Sequence, residues 1–381
     1  MNGGTSSRPI RLLAVVHHSR IGGTEVCFGR LLTALAHDPD FEVCGAYPRD
    51  GELAAKWDAL AFHIEYQAGA LPEAFHVRGY RDWLRRRGVE SRDFETTVSK
   101  WEPDIIVSFT SVLTAPLVVA ANLGVPAVAY VREFLGPDVV RPLLWRYLAR
   151  HARRLIAVSS CVAEGLERYA PGRVLVVPDG VPLPRVQHLA TWPPSPPQVA
   201  FYGGYNPRKG GELFVRMAGV VQGIAPSVRF VYYGVADAGQ EGQRDVVRRL
   251  TEGLGLRGIL QFAETTDFGS SFGENSVVVV PSEQEGLGLV ALDAMSYGVP
   301  VVASRTGGLT DVVEDGVTGI LAGVGDTDDF SAAVMRIVCD EATVRVMGTA
   351  ARARVERMFT LERAVEGLKG AVRETLRESS P

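Results

Sequence analysis

The stretch that decides the fold runs from Val277 to Gly308, VVVVPSEQEGLGLVALDAMSYGVPVVASRTGG. Its four opening valines read as a short buried strand, because β-branched side chains are stiff and suit a pleated surface. Pro281 and Ser282 end that strand. The loop Glu283-Gln284-Glu285-Gly286-Leu287-Gly288 follows, then an apolar helix predicted over Leu289–Tyr297. Gly298 stands where a C-terminal helix cap belongs, and Val299–Ala303 reads as the next strand. Thr306-Gly307-Gly308 then opens another helix. Such a β–loop–α–β unit puts two helix N-termini at one end of a parallel sheet. Ligands of these sheets bind outside the carboxyl ends of the strands, where free backbone N–H groups favour anions.

Two carboxylates sharpen the reading. Glu285 lies in the loop, and Asp293 lies about a turn and a half into the helix at ~1.5 Å rise per residue. Two separated acceptors beside an anion-binding helix end suit a ligand with hydroxyls at both ends and phosphate between, which is the shape of a nucleotide-sugar. The competing reading is that both acids favour the positive end of the helix dipole.

The pattern E-G-x-G-x-x-x-x-D from Glu285, followed by A-M-x-x-G-x-P-V-V-A-S-x-x-G-G, resembles the donor signature of the retaining GT-B fold glycosyltransferases of family 4, glycosyl transferases group 1. The family usually has Glu at the second acidic position. Asp293 is a shorter arm that still accepts ribose hydroxyls. The resemblance implies an α/β fold, GT-B, with two doubly wound Rossmann-like domains facing across a cleft. The acceptor would sit mainly on the first domain and the nucleotide-sugar mainly on the second.

Length and composition agree with this. A chain of 381 residues is too long for one ordinary core and suits two domains. Hydrophobic residues at 46% and charged residues at 22% are usual for a soluble globular protein. A net charge of −4 gives no reason to expect nucleic acid. Cys27, Cys44, Cys161 and Cys339 form no CxxC pair, which suggests neither a zinc site nor a disulfide framework and suits a reducing cytoplasm. The residues before Ile10 lack the apolar core of a signal peptide. The apolar region Val112–Val131 is broken by Pro116, Asn122, Gly124 and Pro126, so it reads as a buried helix and strand rather than a membrane span. A cytoplasmic protein is expected.

In the first domain, Ile10–Val16 is predicted as a strand and Thr24–Ala36 as a helix with Thr24 as N-cap. The absence of G-x-G-x-x-G counts against a dinucleotide site here. Gly22-Gly23 nevertheless lets backbone approach a ligand, and the resemblance places these glycines at the donor phosphate; an ordinary βα turn is the alternative. Further strands are expected over Phe41–Ala46, His63–Tyr66, Asp104–Phe109, Pro126–Val131 and Val174–Val177, with a helix over Asp50–Leu60. Arg85-Arg86-Arg87 reads as a solvated helix face rather than a phosphate or lipid site. Arg132-Glu133 stands where family members commonly have His and an acid. Arg132 can hold a phosphate or carboxylate bidentately but stays protonated and cannot be a base. A surface pairing with Glu133 is the alternative. Arg141–Arg154 is a basic amphipathic helix, suited either to packing or to peripheral contact with an anionic membrane. Asp179, in place of the family's usual Asn, reads as a turn residue.

The expected division is residues 1–182 for the acceptor-side domain, a proline-rich linker over 183–198, and 199–358 for the nucleotide-sugar-binding domain. A final helix within 359–381 would cross back to the first domain. The second domain's first loop, Gly203 to Gly210, resembles the family's G-R-x-x-x-x-K-G, whose Arg and Lys grip the donor diphosphate. Lys209 matches. Gly204 stands at the Arg position, and Arg208 and Arg132 are the candidates for the missing cation. A lysine at a helix start is electrostatically unfavourable unless an anion compensates it. Phe262 lies where the family contacts the nucleobase. The D-x-D of Asp326 and Asp328 reads as an N-cap rather than a metal motif.

The catalytic set is therefore Glu285, Lys209 and Arg132. Donor binding falls to Gly22, Gly23, Gly203, Arg208, Phe262, Gly286, Leu287, Gly288, Leu289, Asp293, Gly307 and Gly308. No metal and no cofactor are expected. The implied function is metal-independent, retaining transfer of a hexose-type sugar from a nucleotide-sugar to a small-molecule, lipid-linked or saccharide hydroxyl. Two alternatives stay open: a nucleotide-sugar epimerase or hydrolase of the same fold, and an inactive donor-binding partner subunit.

Overall fold

The computed structural model describes residues 8–16, 23–48, 62–66, 94–109, 111, 115–132, 141–184, 192–234, 240–264 and 269–379. The helix expected over Asp50–Leu60, the Arg85–Arg87 run, Gly22 and Glu133 lie outside the described residues. The chain divides into two compact units, Met1–Gly180 with Leu361–Pro381, and Val181–Thr360.

The first unit carries β1 (Ile10–Val15), β2 (Phe41–Pro48), β3 (Phe62–Tyr66), β4 (Ile105–Ser108), β5 (Ala127–Val131), β6 (Arg154–Ala157) and β7 (Val174–Val176). They form one sheet in the order β3-β2-β1-β4-β5-β6-β7, with every pair parallel. β4, β5 and β6 are buried along their whole length. Helices cover both faces of a parallel sheet, so its strands read as unbroken apolar runs rather than alternating ones.

The helix predicted over Arg141–Arg154 stops at His151. Arg154 instead opens β6, where it is buried and paired with Glu374 at 3.1 Å and with Glu378. The helix buries Leu144, Trp145, Leu148 and Ala149. Gly165 lets the Trp145 ring in, since a Cβ there would lie 2.4 Å from it. The apolar stripe is thus occupied by packing, which leaves Leu143, Arg146 and Arg150 outermost. The C-terminal helix Leu361–Ser379 belongs to this unit, burying Leu368, Ala371 and Val372 and pairing Lys369 with Asp38 at 2.7 Å and Arg373 with Asp40 at 2.5 Å.

The second unit carries β8 (Gln198–Tyr202), β9 (Arg229–Tyr233), β10 (Leu260–Ala263), β11 (Val277–Val280), β12 (Val301–Ser304) and β13 (Gly319–Ala322). Their order is β10-β9-β8-β11-β12-β13, again all parallel. The four valines of β11 are buried between β8 and β12, as their β-branching demands. Strand order reverses direction between β1 and β4 in one sheet and between β8 and β11 in the other. Those reversals are the switch points at which doubly wound sheets bind ligands.

The proline-rich stretch expected as a linker is part of the second unit, which begins at Val181. Trp192 anchors it: the indole is buried and its Nε1–H donates to the Asn275 carbonyl at 2.9 Å. Asp326 caps the helix Thr327–Val338, accepting from the N–H groups of Asp328 and Asp329 at 3.0 Å each. Among the described residues no helix is long and apolar enough to cross a membrane.

Candidate functional site

The candidate site is built where the loops after β8 and β11 meet at the switch point of the second sheet. Asn206 accepts from the Arg208 N–H at 3.1 Å and so caps a 3₁₀ turn over Pro207–Lys209. Gly210 follows at φ +75°, and a Cβ there would lie 2.2 Å from the Pro281 carbonyl oxygen, so only glycine lets the two loops touch. The Glu283 N–H donates to the Arg208 carbonyl at 2.9 Å, tying the loops a second time. This places the Lys209 Nζ 2.8 Å from Glu285 Oε2. The lysine side chain is 42% exposed and the glutamate 17%, so the pair is open to a ligand from solvent.

A third loop supports Glu285 from behind. The Gly308 N–H donates to the Glu285 carbonyl at 3.0 Å. A Cβ at Gly307 would stand 2.1 Å from the Glu285 oxygen, and one at Gly308 would stand 2.2 Å from the Gly286 oxygen. The two glycines therefore serve close backbone packing. The helix they open, Leu309–Val312, is only four residues long, too short to supply the anion-binding end expected of it. Gly308→Ala is expected to destabilise the second unit by about 1–3 kcal/mol through overpacking. Gly223→Ala, in a helix with open space around it, is expected to be neutral or mildly stabilising. Thermal unfolding of the two variants checks this.

Two longer helices start at the site. Gly210 precedes Gly211–Ile224 and Gly288 precedes Leu289–Ser296; both glycines are left-handed and neither helix has a side-chain cap bond. Elsewhere Ser159, Asp326 and Asp340 cap their helices with side-chain oxygens. First-turn N–H groups have no intrahelical acceptor, so these two uncapped ends offer donors and positive dipole ends to an anion.

The remaining expected residues sort by environment. Asp293 lies in the second turn of its helix and is half-buried, with its carbonyl accepting from Ser296 Oγ at 2.7 Å. The Leu287 side chain is buried, so it anchors the loop and leaves only backbone for a ligand, while Leu289 is half-buried. The Gly203 N–H already donates to the Tyr233 carbonyl at 2.9 Å and belongs to the sheet ladder. Phe262 lies one residue before the end of β10, two strands from β8, with the Arg248 guanidinium 4.7 Å over its ring and Glu264 pairing that arginine at 3.0 Å. Two strand spacings, about 10 Å, separate β10 from β8 in the sheet. Gly23 opens the helix Gly23–Ala36 in the other unit, so Thr24 lies within that helix rather than capping it.

Arg132, at the carboxyl end of β5, is buried and pairs at 2.7 Å with Asp179, whose side chain is likewise buried. Its guanidinium lies 4.6 Å over the Tyr130 ring and 5.4 Å over Phe109. The Tyr130 hydroxyl donates to the Val177 carbonyl at 2.7 Å, just before Asp179. Burial pushes the Asp179 carboxyl above its usual range, and the neighbouring Arg132 opposes that shift. Asp179 had no signal as a partner in the sequence beyond being an acid where Asn would serve a turn equally well.

Comparison with known proteins bears on this geometry. Residues 190–354 match the family Glycosyl transferases group 1, and residues 21–185 match Glycosyltransferase Family 4. The chain is 34% identical over 204 residues to a D-inositol 3-phosphate glycosyltransferase of Actinosynnema mirum, covering 49% of each chain. It is 27% identical to the sulfoquinovosyl transferase SQD2 of Arabidopsis thaliana, over 68% of this chain and 54% of that protein. The chain thus spans about half the length of the curated relatives it matches. In fold it is similar to Anabaena Alr3699/HepE in complex with UDP and glucose, with TM-score 0.80, 18% identity, and coverage of 96% of this chain and 100% of that one. It is also similar to the sucrose-phosphate synthase of Thermosynechococcus elongatus, with TM-score 0.79, 22% identity, and coverage of 97% and 100%.

Proposed function

The chain belongs to the group 1, family 4 glycosyltransferases, and from that premise we propose that it transfers a hexose-type sugar from a nucleotide-sugar to an acceptor hydroxyl with retention of anomeric configuration. The observation that carries this is the Lys209–Glu285 pair set between two glycine-started helix ends. A sugar diphosphate presents an anion and hydroxyl donors side by side, and the pair answers with a cation and a carboxylate. The UDP and glucose held by HepE and the transferase names of the relatives support the same reading.

In the transfer, the bond between the anomeric carbon and the diphosphate oxygen breaks and its electron pair stays on phosphate. The acceptor oxygen bonds to the same face of the anomeric carbon, and its proton passes to the leaving phosphate oxygen. Lys209 and the helix ends at Gly210 and Gly288 stabilise the charge that develops there. Glu285 accepts hydrogen bonds from the sugar hydroxyls and aligns the anomeric carbon. Asp293 receives ribose hydroxyls, and the end of β10 at Phe262 receives the base. With that positive charge supplied by the protein, transfer proceeds without a divalent metal. The Asp326 carboxylate is engaged in capping. The acceptor is a small-molecule, lipid-linked or saccharide hydroxyl, and the enzyme works in the cytoplasm.

Calorimetry with UDP-, GDP- and dTDP-sugars in EDTA tests this. One nucleotide-sugar is expected to bind selectively, and NMR of the product is expected to show the donor's anomeric configuration. Binding that requires a divalent cation would overturn the metal-independent reading. No binding of any donor would favour the inactive partner subunit.

A further inference from the structure

We infer that the first unit carries an anion site of its own, a cavity for a phosphomonoester group at the amino-terminal end of its sheet. The cavity measures about 590 Å³, a volume usual for small-molecule sites. It lies among the end of the helix Ala115–Leu123, the start of β5 at Ala127, the end of the helix Arg141–His151 and the tip of the C-terminal helix. Substrates of doubly wound sheets bind at the opposite end, outside the carboxyl ends of the strands. Every lining residue belongs to the first unit, so the inference does not depend on the donor site of the second.

Charge carries the argument. Arg150, Arg153 and Arg173 line the cavity, and three guanidinium groups against the one carboxylate of Glu378 leave two positive charges in excess. Glu378 is itself bonded to Arg154, which also pairs with Glu374 at 3.1 Å. None of the three lining arginines has an ion-pair partner among the described residues. Helix ends at this edge explain part of the arrangement, because cations favour C-terminal carbonyls without any ligand. Arg173 donates to the Ala149 carbonyl at 2.7 Å and the Ala152 carbonyl at 3.0 Å, and Arg153 donates to the Glu378 carbonyl. A guanidinium has more N–H donors than these bonds use. Arg150 is exposed and makes no hydrogen bond among the described residues. His151 also lines the cavity, with its Nδ1–H spent on the Tyr147 carbonyl at 2.9 Å. The frame is fixed: the Arg153 N–H donates to the Ala127 carbonyl at 2.8 Å, and the Arg173 carbonyl accepts from Leu155 at 3.0 Å. Planar forks on a fixed backbone suit phosphate oxygens. A phosphomonoester brings about −1.5 to −2 charge at pH 7, which matches the excess. A soluble phosphate ester and a lipid headgroup present this same chemistry.

Two binding measurements on the full chain, at constant ionic strength, test the site. One is calorimetry with glycerol 3-phosphate; the other is flotation with phosphatidylcholine vesicles with and without phosphatidic acid. The parent is expected to bind a phosphomonoester. Binding in calorimetry assigns a soluble ligand, and flotation only with phosphatidic acid assigns a headgroup. Arg150→Gln is expected to weaken that binding about tenfold, the low end for one charge-assisted hydrogen bond, and Arg153→Gln to weaken it likewise. Thermal unfolding of Arg150→Gln should match the parent, which separates lost binding from lost structure. Arg146→Gln, on the same helix but outside the cavity, should leave affinity unaltered, as should Lys209→Ala in the other unit. Binding of neither probe by the parent would overturn the inference. So would equal weakening by Arg146→Gln, or a loss in Lys209→Ala with Arg150→Gln silent.

Discussion

Lys209→Ala is expected to lower the transfer rate by about 10²–10³, the cost of removing one preorganised group that stabilises developing negative charge. Glu285→Ala is expected to match it in rate but to differ in binding. On the proposed reading Lys209 faces the diphosphate, so its loss should weaken UDP itself. On the same reading Glu285 faces the sugar, so its loss should spare UDP and weaken only the intact nucleotide-sugar. In the free protein the two neutralise each other at 2.8 Å, and each variant leaves its partner without that charge. The glutamate left by Lys209→Ala then repels the diphosphate, so Lys209→Ala should lose more UDP affinity than the double variant. Steady-state rates alongside UDP and nucleotide-sugar titrations on the three variants measure this. Equal loss of UDP affinity in both single variants would remove the division of labour between the two residues.

How much of this was legible in the sequence depends on distance along the chain. The four valines, the glycine loop and the apolar helix after it are local signals, and each appears as an element within a few residues of its expected bounds. Lys209 and Glu285 were each legible by type and by resemblance. Their direct contact was not, because 76 positions separate them and only the pairing of β8 with β11 brings their loops together. The six prolines of the proline-rich stretch suggest a spacer, and composition held no signal for the buried Trp192, whose indole ties that end of the stretch to Asn275. Gly307-Gly308 signalled a helix start but held no information on length, and the helix that follows ends after one turn. Arg132 read as a guanidinium for a phosphate or carboxylate and its partner Asp179 as an ordinary turn residue, and the contact between them, 47 positions apart, carried no local signal.

That pair yields the largest expected change in stability. Asp179→Ala leaves the Arg132 guanidinium buried without its counter-charge, and breaking a buried ion pair from one side costs about 3–5 kcal/mol. Removing both charges with Arg132→Met and Asp179→Val should cost far less, because desolvation of the two ions disappears together with their attraction. The pH dependence gives an independent sign. Burial raises the Asp179 carboxyl from its ordinary 3.8, so the folded protein holds that proton more tightly than the unfolded chain. This residue's contribution to stability therefore falls as pH rises from 3.8 through the raised folded value, opposite to the trend of carboxylates exposed in favourable pairs. Asp179→Asn should remove that slope while keeping the side chain's shape. Asp179 also immediately precedes Gly180, the last residue of the first unit before the chain enters the second at Val181. The pair thus fixes the chain at its point of exit. Urea unfolding of parent, single and double variants across acidic pH measures all three effects. A double variant as unstable as Asp179→Ala would mean that the site depends on the shape of these side chains and not on their charges.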